Sequence, residues 1–135
     1  MADDIFLGKQ AVIERCLQRI GEEFEGKPEN LKNFTRQDSI VLNLQRACEA
    51  VIDLAMHVVS IRKLGIPKQT RDAFQMLADA GLIPSETADR MKKMVGFRNI
   101  AVHDYQSMDV SILTHIVEQR LTDFKEFLTA IGKSL

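Results

Sequence analysis

A chain of 135 residues that is 45% hydrophobic and carries a formal net charge of -1 has enough apolar material for one domain with its own core, without disulfides or a structural metal. That charge balance excludes the global basic field of a protein that coats nucleic acid, so any contact with RNA or DNA must be local. Cys16 and Cys48 fall inside apolar helical patterns and in no metal-ligand or CxxC spacing, which predicts buried, reduced thiols of a cytosolic protein. The opening Met1-Ala2-Asp3-Asp4 is acidic where a secretory signal would be basic, and no apolar run approaches the ~20 residues that span a bilayer. These features predict a cytoplasmic protein with no membrane segment.

Ile5, Ile13, Leu17, Ile20 and Phe24 recur at helical spacing, and Gly26-Lys27-Pro28 ends this first amphipathic helix. A second helix over 36–64 carries Ile40, Val41, Leu44, Ala47, Cys48, Val51, Ala55, Val58 and Val59 and is long enough to be the central rod. Thr70 caps a short third helix through Phe74 and Leu77 that stops at Gly81. Ser85, after Pro84, caps a fourth that runs to about His103. A last helix starts near Asp109 and shows Leu113, Val117, Leu121, Phe124, Leu128 and Ile131 on one side. No useful length alternates with period two, so the chain over 1–135 reads as a single all-α domain. Its short connections favour an up-and-down bundle of four to five helices.

The chemistry concentrates in Arg98-Asn99-Ile100-Ala101-Val102-His103-Asp104-Tyr105. An Arg holds a phosphoryl group with a planar fork of donors, a His moves protons near neutral pH, and a Tyr offers a hydroxyl that can bind or be modified. Ala88, Met91, Val95 and Val102 form an apolar stripe on the fourth helix, and Arg98 fills the vacant place in it. A guanidinium in that position needs a carboxylate from another helix, a subunit contact or a wet cleft. His103 lies one turn from Asn99, which can orient its ring. Arg98 and His103 are five apart, about 140° round an ideal helix. Their tips converge only if the helix bends or frays, or if a second chain supplies one of them, and this favours a site shared across a dimer.

This octapeptide resembles the R-x4-H-x-Y signature of the HEPN superfamily, in its HepT-like branch of toxins. Chain length, helical pattern and the position of the motif late in the fourth helix agree, so the resemblance covers essentially the whole chain. It implies a homodimeric endoribonuclease toxin that needs neither metal nor cofactor and cuts mRNA or tRNA. It further implies a cognate minimal nucleotidyltransferase antitoxin that AMPylates the motif tyrosine. Carried over by position, Arg98 and His103 are catalytic, Asn99 supports them, and Tyr105 is the residue modified. A rival reading keeps the nucleotidyltransferase but makes the chain a non-catalytic helical module that binds it.

Weaker constellations remain. Asn43, Arg46, Ala50, Asp53 and His57 form a polar stripe beside the apolar one on the second helix. Arg46 and Asp53 either reach the same cleft, to hold RNA or to pair with Arg98, or belong to a solvated face, and Asp53 with His57 makes an i, i+4 pair. Arg62, Lys63, Lys68 and Arg71, and again Arg90, Lys92, Lys93 and Arg98, could track a phosphate backbone if they share a groove. Without HExxH, a Cys/His cluster or a glycine-rich strand-to-helix turn, the chain offers no metal or P-loop signature.

Overall fold

The computed structural model describes residues 3–103 and 109–135, and for Val102 and His103 the backbone only. Six α-helices account for most of these residues. α1 (Asp4–Phe24) begins where the Asp3 side chain accepts a hydrogen bond from the Phe6 amide at 2.9 Å, and it ends at Glu25 in the left-handed region (φ 54°). A 3-10 turn, Pro28–Lys32, buries Leu31 beneath the connection. α2 (Phe34–Ile61) is the central rod, roughly 42 Å long at about 1.5 Å per residue. It stops three residues earlier than the apolar period predicts, because Lys63 (φ 55°) and Gly65 (φ 126°) turn the chain left-handed.

α3 (Thr70–Asp79) is capped one residue earlier than predicted. The Gln69 amide donates to Asp72 Oδ2 at 3.0 Å, so Asp72 three positions on selects Gln69 rather than Thr70 as the boundary. α4 (Ser85–His103) has the predicted span. α5 (Val110–His115) is capped by Asp109, whose carboxylate accepts from the Ser111 amide at 2.8 Å. A π turn over Ile116–Arg120 then leads into α6 (Thr122–Gly132). The last helix is therefore interrupted where a continuous one was predicted. The wider turn rotates α6 about its axis, leaving Leu121 half-buried and bringing Asp123 into the buried surface.

Cross-helix pairs define the packing. Asp3 meets His57, Lys9 meets Asp53 and the Glu23 carbonyl meets Arg36, so α1 and α2 run antiparallel. α4 joins α2 through Cys48 and Met94, α3 through Gln75 and Lys92, and α6 through Arg90 and Glu126. The nine apolar positions anticipated on α2 are all buried, and Ala50, Ile52 and Leu54 join them. A rod flanked by α1, α3 and α4 is apolar round most of its circumference for that reason. Ile5 is the exception on α1: it is 49% exposed, and Phe6 packs on the core instead. Ile5 precedes Ile13 by eight positions, which puts it about 80° off the buried stripe. Cys16 and Cys48 are buried and free. Among the described residues no helix is long and apolar enough to cross a membrane, and no three His, Cys, Asp or Glu residues converge as a metal site.

Candidate functional site

Arg98 points into the bundle from α4, over a buried surface made by Met91, Met94, Val95, Phe97 and Ala101. Its partner is Glu49 of α2, with Nη1 to Oε1 at 3.2 Å, the Arg side chain 18% exposed and the Glu 45%. The carboxylate anticipated from the interrupted stripe is present. One face of this pair is wet, so the bridge holds the guanidinium in place more than it stabilises the fold. Among the described residues, Arg98 Nε is buried and has no hydrogen-bond partner. A buried donor without a partner costs about 1–3 kcal/mol. Cys48 lies against the same group; burial pushes its thiol far up from the usual value, and the Arg98 charge only partly opposes this. Cys48 is thus packed in the core.

α4 remains helical from Ser85 through His103, so Arg98 and His103 leave one unbroken helix about 140° apart. Asn99 is half-buried one turn before His103. The His103 side chain and the whole of Tyr105 lie outside the described residues.

The second-helix stripe divides. Asp53 pairs with Lys9 of α1 at 2.9 Å and does not reach Arg98. His57 pairs not with Asp53 but with Asp3, Nε2 to Oδ2 at 2.8 Å. That bond, with the Phe6 amide, holds the Asp3 carboxyl below the usual carboxylate range. Arg46 opens into a groove between α1 and α2 with Arg15 and Arg19. The sequence reasoning missed Glu49, which lies on the opposite flank of this stripe from Asn43 and next to buried Cys48. Of the two basic clusters, the one on α4 is largely neutralised: Arg90 bridges Glu86 at 2.6 Å and Glu126 at 2.8 Å, and Lys92 meets Gln75 and, at 3.7 Å, Asp89. In the other, Arg62 is bound to the Ser134 carbonyl.

A second cleft, about 470 Å³, lies between α4 and the last helices and is lined by Glu86, Arg90, Lys93, His115, Arg120 and Asp123, among others. Asp123 is 3% exposed. Burial pushes its carboxyl up from 3.8, against the pull of Arg120 and Arg90, which stand 3.8 and 3.9 Å away. A carboxyl whose folded pKa is raised contributes stability that is fully present below its unfolded pKa and lost as pH rises through the folded one. As pH rises from 3.8, the thermal midpoint of Asp123→Asn should therefore gain on that of the parent chain. Parallel profiles would show that Asp123 ionises without cost.

Comparison with known proteins bears on what this surface does. The family model described as "Ribonuclease HepT-like" matches residues 13–131. The chain is 46% identical over 129 residues to the mRNA nuclease HepT of Shewanella oneidensis, covering 96% of this chain and 97% of that protein. It is 30% identical over 112 residues to a putative RNase of Archaeoglobus fulgidus, covering 78% and 82%. The solved structure of the tri-AMPylated Shewanella oneidensis HEPN toxin in complex with an MNT antitoxin superposes with a TM-score of 0.92 at 47% identity, over 98% of this chain and 99% of that one. With the family model spanning most of the chain, a relative 46% identical along nearly its whole length and the same helical bundle in the solved structure, this protein belongs to the ribonuclease HepT-like family.

Proposed function

We propose that this chain is the toxin of a toxin–antitoxin pair: a cytoplasmic, homodimeric, metal-independent endoribonuclease acting on mRNA or tRNA. It is silenced when a cognate minimal nucleotidyltransferase AMPylates Tyr105. The observation that carries the reading is Arg98, a guanidinium held on α4 with a buried donor to spare, in a chain nearly half identical to an mRNA nuclease along almost its whole length.

RNA brings its own nucleophile. The 2'-hydroxyl attacks the adjacent phosphorus, the 2'-oxygen–phosphorus bond forms, and the phosphorus–5'-oxygen bond breaks. The products are a 2',3'-cyclic phosphate and a free 5'-hydroxyl. One proton leaves the 2'-oxygen and one reaches the 5'-oxygen; His103 handles these transfers. Arg98 offers its fork to the charge that builds on the phosphorane. Positions 98 and 103 lie about 140° apart round α4, which favours a composite site in which each protomer of a dimer supplies part. The two copies of His103 can then serve as base and acid. Asn99 steadies the imidazole from the preceding turn. Asp53, occupied by Lys9, is left out of the site, and Arg46 belongs to the approach of the RNA.

Transfer of AMP joins the Tyr105 hydroxyl oxygen to the α-phosphorus of ATP and releases pyrophosphate. The new anion beside Arg98 would compete for the fork that the scissile phosphate needs. Incubating the purified chain with bulk RNA in EDTA is expected to give fragments ending in 2',3'-cyclic phosphate. Intact RNA after exposure to a folded, unmodified dimer would move the assignment to a partner-binding module. Tyr105→Phe is expected to cut as the parent does and to gain no adenylyl mass from the nucleotidyltransferase, so co-expression should no longer rescue growth. A Tyr105→Phe chain still silenced by nucleotidyl transfer would place the modified residue elsewhere.

A further inference from the structure

We propose that the groove between α1 and α2 is the path by which the RNA strand leaves the catalytic centre, its phosphates held by Arg15, Arg19 and Arg46. The inference rests on the ribonuclease reading and adds the binding surface that the reading lacks. The groove encloses about 640 Å³, and its lining holds these three guanidiniums and no carboxylate. Among the described residues, neither Arg15 nor Arg46 has an acidic partner within ion-pair distance, whereas Arg90, Lys92 and Arg98 each have one. Arg19 spends its contacts on Glu22 and Glu23 of its own helix, at 3.2 and 3.3 Å and half in water, which a phosphate can displace at small cost. A net charge of -1 over the whole chain makes two cations without an acidic partner among the described residues, beside a third held only loosely, stand out.

The groove is placed to serve Arg98. Arg46 and Glu49 are three apart on α2 and so neighbours on its surface, and Glu49 is the residue that holds Arg98. A strand whose scissile phosphate sits at Arg98 crosses the edge of α2 at Arg46 and enters the groove. There Arg15 and Arg19, one turn apart on α1, repeat about 6 Å along the axis, a step of the order of that between phosphates in an extended strand. Val12 and Leu42 are half-exposed in the groove and no aromatic ring lines it. The contact is therefore to the backbone, without base stacking, and independent of sequence.

The test is titration of the full chain with a single strand of about 12 nucleotides carrying 2'-O-methyl groups, which cannot be cleaved, across roughly 50–200 mM salt. Arg15→Gln/Arg19→Gln should bind roughly tenfold more weakly, and the slope of log affinity against log salt should fall by about 1.4, at about 0.7 for each phosphate no longer neutralised. The loss in cleavage should fall on KM more than on kcat, and Arg15→Lys/Arg19→Lys should recover most of the slope. Arg46→Gln gives an independent readout of the same groove, with a slope lower by about 0.7. If the parent cuts RNA and the glutamine variants keep its affinity and salt slope, the groove assignment is wrong and the ribonuclease reading stands. If those variants instead lose binding to the nucleotidyltransferase while RNA affinity holds, the groove is a protein-docking surface and the proposal fails. A parent chain that cuts nothing in EDTA, yet still shows groove-dependent binding of the oligonucleotide, would refute the activity and not the groove.

Discussion

His103→Ala is expected to slow RNA cleavage by on the order of 10²- to 10⁴-fold, the range set by losing one positioned proton-transfer group. Arg98→Ala should bring a loss of about 10²- to 10³-fold, as for removal of a preorganised donor to the developing charge. Because both act on one transition state, the double variant should be little slower than the worse single one. Rates measured in EDTA with all variants folded decide the matter, and the pH profile separates the roles. Without His103 the profile should lose the limb that proton transfer by the imidazole sets, while without Arg98 the limb should persist at a lower rate. A His103→Ala chain that cuts within about tenfold of the parent would remove the imidazole from the mechanism. Arg98→Lys is a sharper probe than alanine, because lysine keeps the charge and loses the fork; recovery by lysine would mean that charge alone matters at this position.

The largest expected effect on stability lies at Phe127. Its ring is fully buried and meets Phe74 edge-on, with centroids 5.6 Å apart and planes at 73°, so one pair ties α6 to α3 across the bundle. Phe127→Ala removes the transfer free energy of the ring, leaves a cavity and deletes an edge-to-face contact, together about 3–5 kcal/mol. A domain of this size has about 5–15 kcal/mol in all, so the variant should be near the threshold of folding at ambient temperature. Phe127→Leu should lose distinctly less. Urea denaturation with an unchanged m-value checks both, and a loss under about 1 kcal/mol for the alanine variant would mean that α6 does not depend on this packing.

Much of this architecture could be read from the residues alone because helix periodicity is a local property. The α2 stripe from Ile40 to Val59 and the extent of α4 follow from apolar spacing and the flanking glycines and prolines. Arg98 is conspicuous for the same reason: a charge interrupting an apolar stripe demands a partner. Which carboxylate answers it depends on how α2 is rotated against α4, a tertiary property that no local pattern encodes. Asp53 lies on a tidy polar stripe, but that stripe faces α1 and Lys9, while Glu49 sits on the flank that faces Arg98. The π turn is equally invisible, because one extra residue in a turn leaves no mark in apolar spacing until the buried set is known to include Asp123. His57 takes its partner from Asp3, fifty-four positions away, in preference to the i, i+4 carboxylate on its own helix.

Arg98 shares its helix face with Met94 and Ala101, one turn to either side and both buried, so the fork proposed to bind the phosphorane is bolted to the hydrophobic core rather than carried on a loop. Its aim is only as accurate as the seating of those side chains. A slip of about 1 Å along α4 would leave the bundle folded yet cost on the order of a hundredfold in rate. The geometry of a five-coordinate phosphorus, more than resistance to heat, then sets how far this core can drift, and a change as mild as Met94→Leu could disarm the toxin while leaving a protein that melts normally.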